Sequence, residues 1–218
     1  MGKYLKNYIN GVYAFKLLLC IFSIILLGIS IAFNTKALLG TDAIAVFFNG
    51  VSNFFNLNLG LATNIINCIL AVIVILIDRK YINVGTVIYA LALGPSINFG
   101  INLYEAMDVT NDYIPRFLVS ILAVVLAIIG LGIFISVNIG VDPWSALAII
   151  SSKKLNKSFG FMKVSIDVVA LIVGFLLGGK VREMTLISAF VGGPCIQKVS
   201  EFVDNMFSKM LKFSHNKI

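Results

Sequence analysis

Charge is scarce in this chain. Asp, Glu, Lys and Arg make up 12% of its 218 residues, against 59% hydrophobic. That is too little polar residue content to cover a soluble globule, and the apolar residues fall in runs of about twenty, the length that crosses a bilayer core. The composition therefore excludes a soluble domain and points to an integral membrane protein. Histidine is nearly missing: His215 stands alone near the C-terminus and reads as a tail residue. The three cysteines, Cys20, Cys68 and Cys195, lie inside apolar segments without CxxC or CxH spacing, so neither a disulfide framework nor a metal site is indicated. No P-loop, no Gly-rich dinucleotide turn, no HExxH and no nucleophile beside a histidine occurs, so no cofactor is expected. An intramembrane enzyme would need an acid/base pair within its spans. Only one carboxylate, Asp167, qualifies, and the chain is read as not an enzyme.

Among the charges that are present, the positive ones dominate, giving a formal +7 and a pI near 9.4. They sit in short clusters between apolar runs rather than along one face, which makes them topology signals under the positive-inside rule and not nucleic-acid contacts. Lys3 and Lys6 precede an apolar run from about Val12 to Phe33, longer than a signal-peptide core and without a clear cleavage site, so it is expected to stay attached as the first span.

The rest of the chain reads as an all-α polytopic membrane domain built twice, 13–104 and 116–206, followed by a basic tail, 207–218. In the first half the expected spans are Tyr13 to Asn34, Leu61 to Ile77 and Val84 to Leu103. In the second they are Phe117 to Val137, Gly160 to Gly178 and Met184 to Val203. The polar link Glu105 to Arg116 divides the halves. Between the first two spans of each half lies a short segment, Asp42 to Phe55 and Asp142 to Leu155. Ile44, Phe47, Phe48, Val51 and Phe55 have helical spacing, and about fourteen residues give ~21 Å, short for a bilayer core of ~30 Å. At an offset of 100 residues Gly40 matches Gly140, Asp42 matches Asp142, Gly60 matches Gly160 and Asn67 matches Asp167. At an offset of 99, Thr86 matches Thr185, Pro95 matches Pro194 and Asn98 matches Gln197.

If the short helices do not cross, six spans form two inverted repeats; if they do, eight spans form parallel ones. The six-span arrangement puts Lys3/Lys6, Arg79/Lys80, Lys153/Lys154/Lys157 and the basic tail in the cytoplasm with both termini, at the cytoplasmic membrane. Lys36, Arg116, Lys180 and Arg182 run against that bias. On the inverted reading the two Gly-x-Asp turns stand at opposite membrane faces.

Several residues carry a structural and a functional reading side by side. In Gly40-Thr41-Asp42 and Gly140-Val141-Asp142-Pro143-Trp144, Asp is a strong helix N-cap, Pro143 suits the first helical position, and Trp144 suits a membrane boundary; these roles account for the motif. The two helix N-termini also offer N–H groups to an anion, which the capping carboxylates oppose. Gly94-Pro95 and Gly193-Pro194 predict kinked helices, since proline removes the bond to the carbonyl four residues back and clashes with it. The kinks are either packing devices or broken helices around a central site, in which case Asn98 and Gln197 point inward. Lys163 and Asp167, four apart, form either a structural ion pair or, with Asn67 as the neutral mate of Asp167, part of an ion site.

The Gly-rich span running into Asn-Ile-Gly-Val-Asp-Pro-Trp, residues 138–144, with a weaker copy at Leu39-Gly40-Thr41-Asp42-Ala43-Ile44, resembles the YczE/YitT-like group of bacterial membrane proteins. The likeness covers about Gly28 to Asn205. It departs at Ala43 and Ile44, where the second half has Pro143 and Trp144. The resemblance implies a multi-span protein of the cytoplasmic membrane, often treated as a transporter, without an established chemistry. Two functional readings remain: a permease for a small molecule or ion with its site between the repeats, or a membrane accessory protein without transport. The expected partners are the lipid bilayer and an unidentified small molecule or ion. Nucleic acid is not among them, and a homo-oligomer is compatible with either reading.

Overall fold

The computed structural model describes residues 2–110 and 112–215, with side-chain surroundings described for 11–110, 112–189, 191–192 and 194–207. Six long helices and two short ones are seen among them: α1 (Gly2–Ala37), α2 (Ala43–Phe55), α3 (Leu59–Asp78), α4 (Val84–Ala106), α5 (Tyr113–Val137), α6 (Pro143–Leu155), α7 (Phe159–Leu176) and α8 (Glu183–His215), with one 3-10 turn at Arg79–Tyr81. No strand occurs among the described residues. Five of the helices are long and apolar enough to cross a membrane. The sixth long helix, α8, carries Lys198, Glu201 and Asp204 in its second half and continues to residue 215, into the segment read as a basic tail.

The short helices begin where the sequence puts their caps. Asp42 Oδ1 accepts from the backbone N–H groups of Ile44 and Ala45, both at 3.1 Å, and Asp142 Oδ1 accepts from Ser145 N at 2.9 Å. Each such cap satisfies orphan donors at the start of a helix and contributes about 1 kcal/mol. They also end alike. Asn56 and Asn156 take left-handed φ values of 54° and 50°, a conformation Asn tolerates better than most residues. Just before them, Ser52 and Ser152 each donate a hydroxyl, at 2.7 Å, to the carbonyls of Leu57 and Lys157.

Contacts between helices fix their directions. Ser23 of α1 lies against Gly130 of α5, and Arg116 at the start of α5 donates Nε to the Ala37 carbonyl at 2.7 Å, so α1 and α5 are antiparallel. Gly28 meets Ser96, and Lys36 pairs with Glu105 at 2.6 Å, so α4 runs parallel to α1. Gly60 meets Asn98, and Asn64 meets Leu91, so α3 is antiparallel to α4. The first half thus goes across, back and across, and α2 makes no net crossing. An eight-span chain would need α4 antiparallel to α1. In the second half Gly132 meets Val199, and the Ser136 hydroxyl donates to the Ser200 carbonyl at 2.9 Å, making α8 parallel to α5. The outer faces are apolar: Leu76 is 80% exposed, Ile114 70% and Phe202 69%, a surface suited to acyl chains rather than water.

Many of these contacts occur in pairs whose numbers differ by 100 or 99. Met184 N donates to the Leu39 carbonyl at 3.0 Å, and Gly85 N to the Ile139 carbonyl at 3.1 Å. Gly40 lies against Thr185, and Gly140 against Thr86; Ala32 meets Gly100, and Gly132 meets Val199. One departure from the pattern bears on the site. In the first half α3 packs tightly on α4, because a Cβ at Gly60 would collide with the Gly94 carbonyl. In the second, no comparable packing joins α7 to α8 among the described residues, and a Cβ at Gly160 would meet nothing within 4 Å.

Candidate functional site

A cavity of about 170 Å³ lies where the two halves meet. At ~10–15 Å³ per water by this measure, it has room for on the order of ten waters or a small molecule. Its wall includes residues related by the offsets: Leu27 and Ala127, Ile31 and Leu131, Asp42 and Asp142, Tyr89 and Ser188. Lys163 of α7 and Gly192 of α8 also line it, so the cavity reaches the gap that α7 and α8 leave between them. A second cavity of about 130 Å³ runs along α2 past Asn49, Asn53 and Lys180, and Asn34 lines both.

The two capping aspartates therefore have a second position as well as a structural one. Each spends Oδ1 on its own helix, and no other hydrogen bond engages Oδ2 of either among the described residues. Asp42 opens on to the cavity, although protein surrounds it closely enough for the charges of Lys163 and Asp167 to act on it. Tyr89 lies in the field of both Asp42 and Asp142. Lys163 Nζ and Asp167 Oδ1 are 2.6 Å apart, with side chains 28% and 31% exposed, so the ion pair is made and its lysine end faces the cavity. Asn34 is 7% exposed, and its Oδ1 accepts no hydrogen bond.

The first Gly-Pro kink lies away from the cavity, while the second falls between Gly192 and Ile196, which line it. Pro95 frees the Leu91 carbonyl, and Asn64 of α3 takes it up: its Nδ2 donates to Leu91 O at 2.9 Å while its Oδ1 accepts from Gly94 N at 2.8 Å. That arrangement is a packing device that seals α3 to α4. Asn98 is half-buried against Gly60 and takes no part in lining the cavity. Gln197 is exposed, its Nε2 donating to Glu201 Oε1 at 2.9 Å, and Pro194 is exposed with it; the structure does not bring Gln197 to Asn98. Gly193 falls among the residues whose surroundings are not described. Asn67 is wholly buried in α3 with neither amide atom bonded. Trp144, expected at a membrane boundary, is 6% exposed and packs edge-on to Phe47 and Phe48, with ring centroids 5.5 and 6.1 Å away.

Sequence reasoning placed Asp42, Asp142 and Lys163 correctly on their helices but missed Asn34, Tyr89 and Ser188 as cavity residues. The pairing of Tyr89 with Ser188 at offset 99 is a signal that was available. Asn34, by contrast, matches Phe134 and stands out only as a polar residue within a long apolar run. Among the described residues no cluster of His, Cys, Asp and Glu is arranged to hold a metal ion.

A helical bundle with an apolar girdle and polar groups converging on a central cavity defines an α-helical polytopic membrane protein. Residues 14–201 match a family of unknown function, DUF6198, and the chain belongs to that family. It is also similar to YczE of Bacillus subtilis (strain 168), described as an uncharacterized membrane protein, with 23% identity over 170 residues, 78% of this chain and 77% of the relative. The resemblance drawn from the Gly-x-Asp motif agrees with both. No solved structure matches the chain.

Proposed function

We propose that the protein is a permease of the cytoplasmic membrane, without enzymatic activity, that carries a small molecule or ion through the cavity between two inverted halves. Transporters built from inverted repeats hold their cargo near the repeat interface and reach the opposite-facing state when the halves exchange conformations. The observation that carries the reading is the unequal closure of the two halves. α3 and α4 are sealed through Gly60, Gly94 and Asn64, while α7 and α8 stand apart with the cavity reaching between them. An accessory protein with a merely structural polar interior would have no use for two related helix pairs held in different states. The paired contacts at offsets 100 and 99 support the repeat, and the antiparallel α1 and α5 support its inversion. Both termini are then cytoplasmic. The arrangement needs no second copy of the chain.

Disulfide trapping tests this. In a cysteine-free background, Gly160→Cys with Gly193→Cys should cross-link under mild oxidation in membranes, because α8 closes on α7 during the cycle. Ser136→Cys with Ser200→Cys, whose hydroxyl oxygens lie 3.1 Å apart, is the control for a contact already made. Complete linking of the control with none at 160 and 193 would refute the exchange.

A further inference from the structure

We propose that the smaller cavity, beside the end of α1, is a binding site for a small monovalent carboxylate, held by Lys180 together with amide and hydroxyl donors of Asn34, Thr35 and Asn53. This goes beyond the permease reading and does not depend on it. The internal duplication supplies the first argument. Asn34, Thr35, Thr41 and Asn49 line this cavity, and their mates at offset 100 are Phe134, Ile135, Val141 and Ile149. All four polar residues are apolar in the other half. The fold therefore does not require polar groups here, since the related place is built without them.

The second argument is an unmatched lysine. Lys180 stands where Tyr81 stands at offset 99, and Asn53 where Lys153 stands at offset 100. In the other half the two residues satisfy each other: Lys153 Nζ donates to the Tyr81 hydroxyl at 2.7 Å and lies 5.2 Å from its ring centroid. The tyrosine is missing here. Lys180 makes no hydrogen bond or ion pair among the described residues, and no carboxylate lines the cavity beside it. Of the cations that run against the charge bias, Lys36 holds Glu105 and Arg116 holds the Ala37 carbonyl, whereas Lys180 holds nothing.

The donors give the third argument. Asn34 is 7% exposed; its Oδ1 is sealed in protein, and the accessible end of its amide is the donor Nδ2, which has no acceptor among the described residues. Thr35 Oγ1 accepts from Asn49 Nδ2 at 3.0 Å and keeps its own proton to donate, and Asn53 gives one Nδ2 hydrogen to the Gly178 carbonyl at 2.8 Å and keeps the other. A buried donor left without a partner is costly, and a carboxylate oxygen removes that cost. Carbonyls at the ends of α1 and α7 oppose an anion, but that of Ala37 is covered by Arg116 and that of Gly178 by Asn53. One ammonium matches one negative charge, and a volume of about 130 Å³, on the order of ten waters, admits a short-chain acid.

The test is a ligand-observed NMR titration of the purified full-length protein in detergent, which reads millimolar affinities, with propionate, inorganic phosphate, chloride and propylammonium as probes. Propionate should bind best, phosphate and chloride should displace it only weakly, and propylammonium should not displace it. Lys180→Gln removes the charge at an exposed position and should weaken propionate binding by at least about tenfold, the size of a lost hydrogen bond to a charged group, while Lys180→Arg should retain it. Asn53→Lys with Lys180→Tyr recreates the contact of the other half at constant net charge, and it should abolish binding because the tyrosine engages the new lysine. Denaturation midpoints in SDS micelles equal to that of the parent protein mark the variants as folded. Absence of propionate binding, its displacement by propylammonium, equal or tighter binding of chloride or phosphate, or full binding by Lys180→Gln or by the double variant would overturn the proposal. The permease reading is decided separately, by cross-linking at 160 and 193.

Discussion

Gly60 and Gly160 hold the second positions of α3 and α7, so replacing each by Ala is one chemical change in two settings. The intrinsic gain in helix propensity is common to both and cancels in the comparison. At Gly60 the new methyl collides with the Gly94 carbonyl and lies 2.5 Å from Asn98 Oδ1, and the backbone side of that contact has nowhere to retreat. Overpacking of this kind costs about 1–3 kcal/mol. Separation of α3 from α4 also breaks both hydrogen bonds of Asn64, each worth about 0.6 kcal/mol within a membrane protein. Gly160→Ala meets nothing and carries neither cost. The two variants should therefore differ by roughly 2–4 kcal/mol, about thirtyfold to several-hundredfold in the unfolding equilibrium. Denaturation in mixed micelles with SDS, followed by circular dichroism, measures the difference directly. Equal midpoints would refute the asymmetry on which the permease reading stands. Gly160→Ala should also slow closure of α8 on α7, so it is expected to raise stability and lower transport together.

Asp167→Asn strands Lys163 beside the cavity and should cost about 1.5–3 kcal/mol, the range for a hydrogen bond to a charged group; adding Lys163→Thr, the residue of the first half, should restore the loss in the same denaturation assay. Failure of the double variant to recover would place the role of Asp167 outside the ion pair. Asn64→Leu should destabilise the protein by about 1–2 kcal/mol through its two lost bonds, while Val164→Asn should draw α8 toward α7 and raise the rate of cross-linking between positions 160 and 193. An unchanged rate would mean that proline-freed carbonyls do not control the gap. Reporter fusions after Lys36 and after Gly140 should give opposite signals, and like signals would refute the inverted arrangement.

Helix ends were legible because they depend on neighbours in the chain. Asp42 and Asp142 announce the starts of α2 and α6, and Asn56 and Asn156 terminate them, all through bonds spanning a few residues. The all-α membrane class followed from run lengths alone. The cavity was not legible, since Asp42 and Asp142 look complete as caps until helices one hundred residues apart bring them to one space. The expectation for Gln197 went astray for a related reason. It assumed that repeat-related residues share surroundings, whereas α4 rests on α3 and α8 does not rest on α7 in the same way. A single exchange, Asn64 in one half and Val164 in the other, accompanies that difference, and hydropathy cannot weigh it. Lys36 and Arg116, which ran against the charge bias, are locally engaged by Glu105 and the Ala37 carbonyl.

Gly50 presses on the Gly174 carbonyl and Gly174 on the backbone of Phe47, so α2 rides directly on α7 without side chains between them. At the related contact Ile150 of α6 and Val74 of α3 cluster through their side chains instead. The mechanical result is that α2 and α7 form one packed block carrying Asp42, Lys163 and Asp167, while Asp142 at the start of α6 belongs to the block built on α3. If the halves exchange conformations as proposed, the spacing of those two carboxylates is the quantity that changes, so a distance measured between positions 42 and 142 would read the state of the whole molecule.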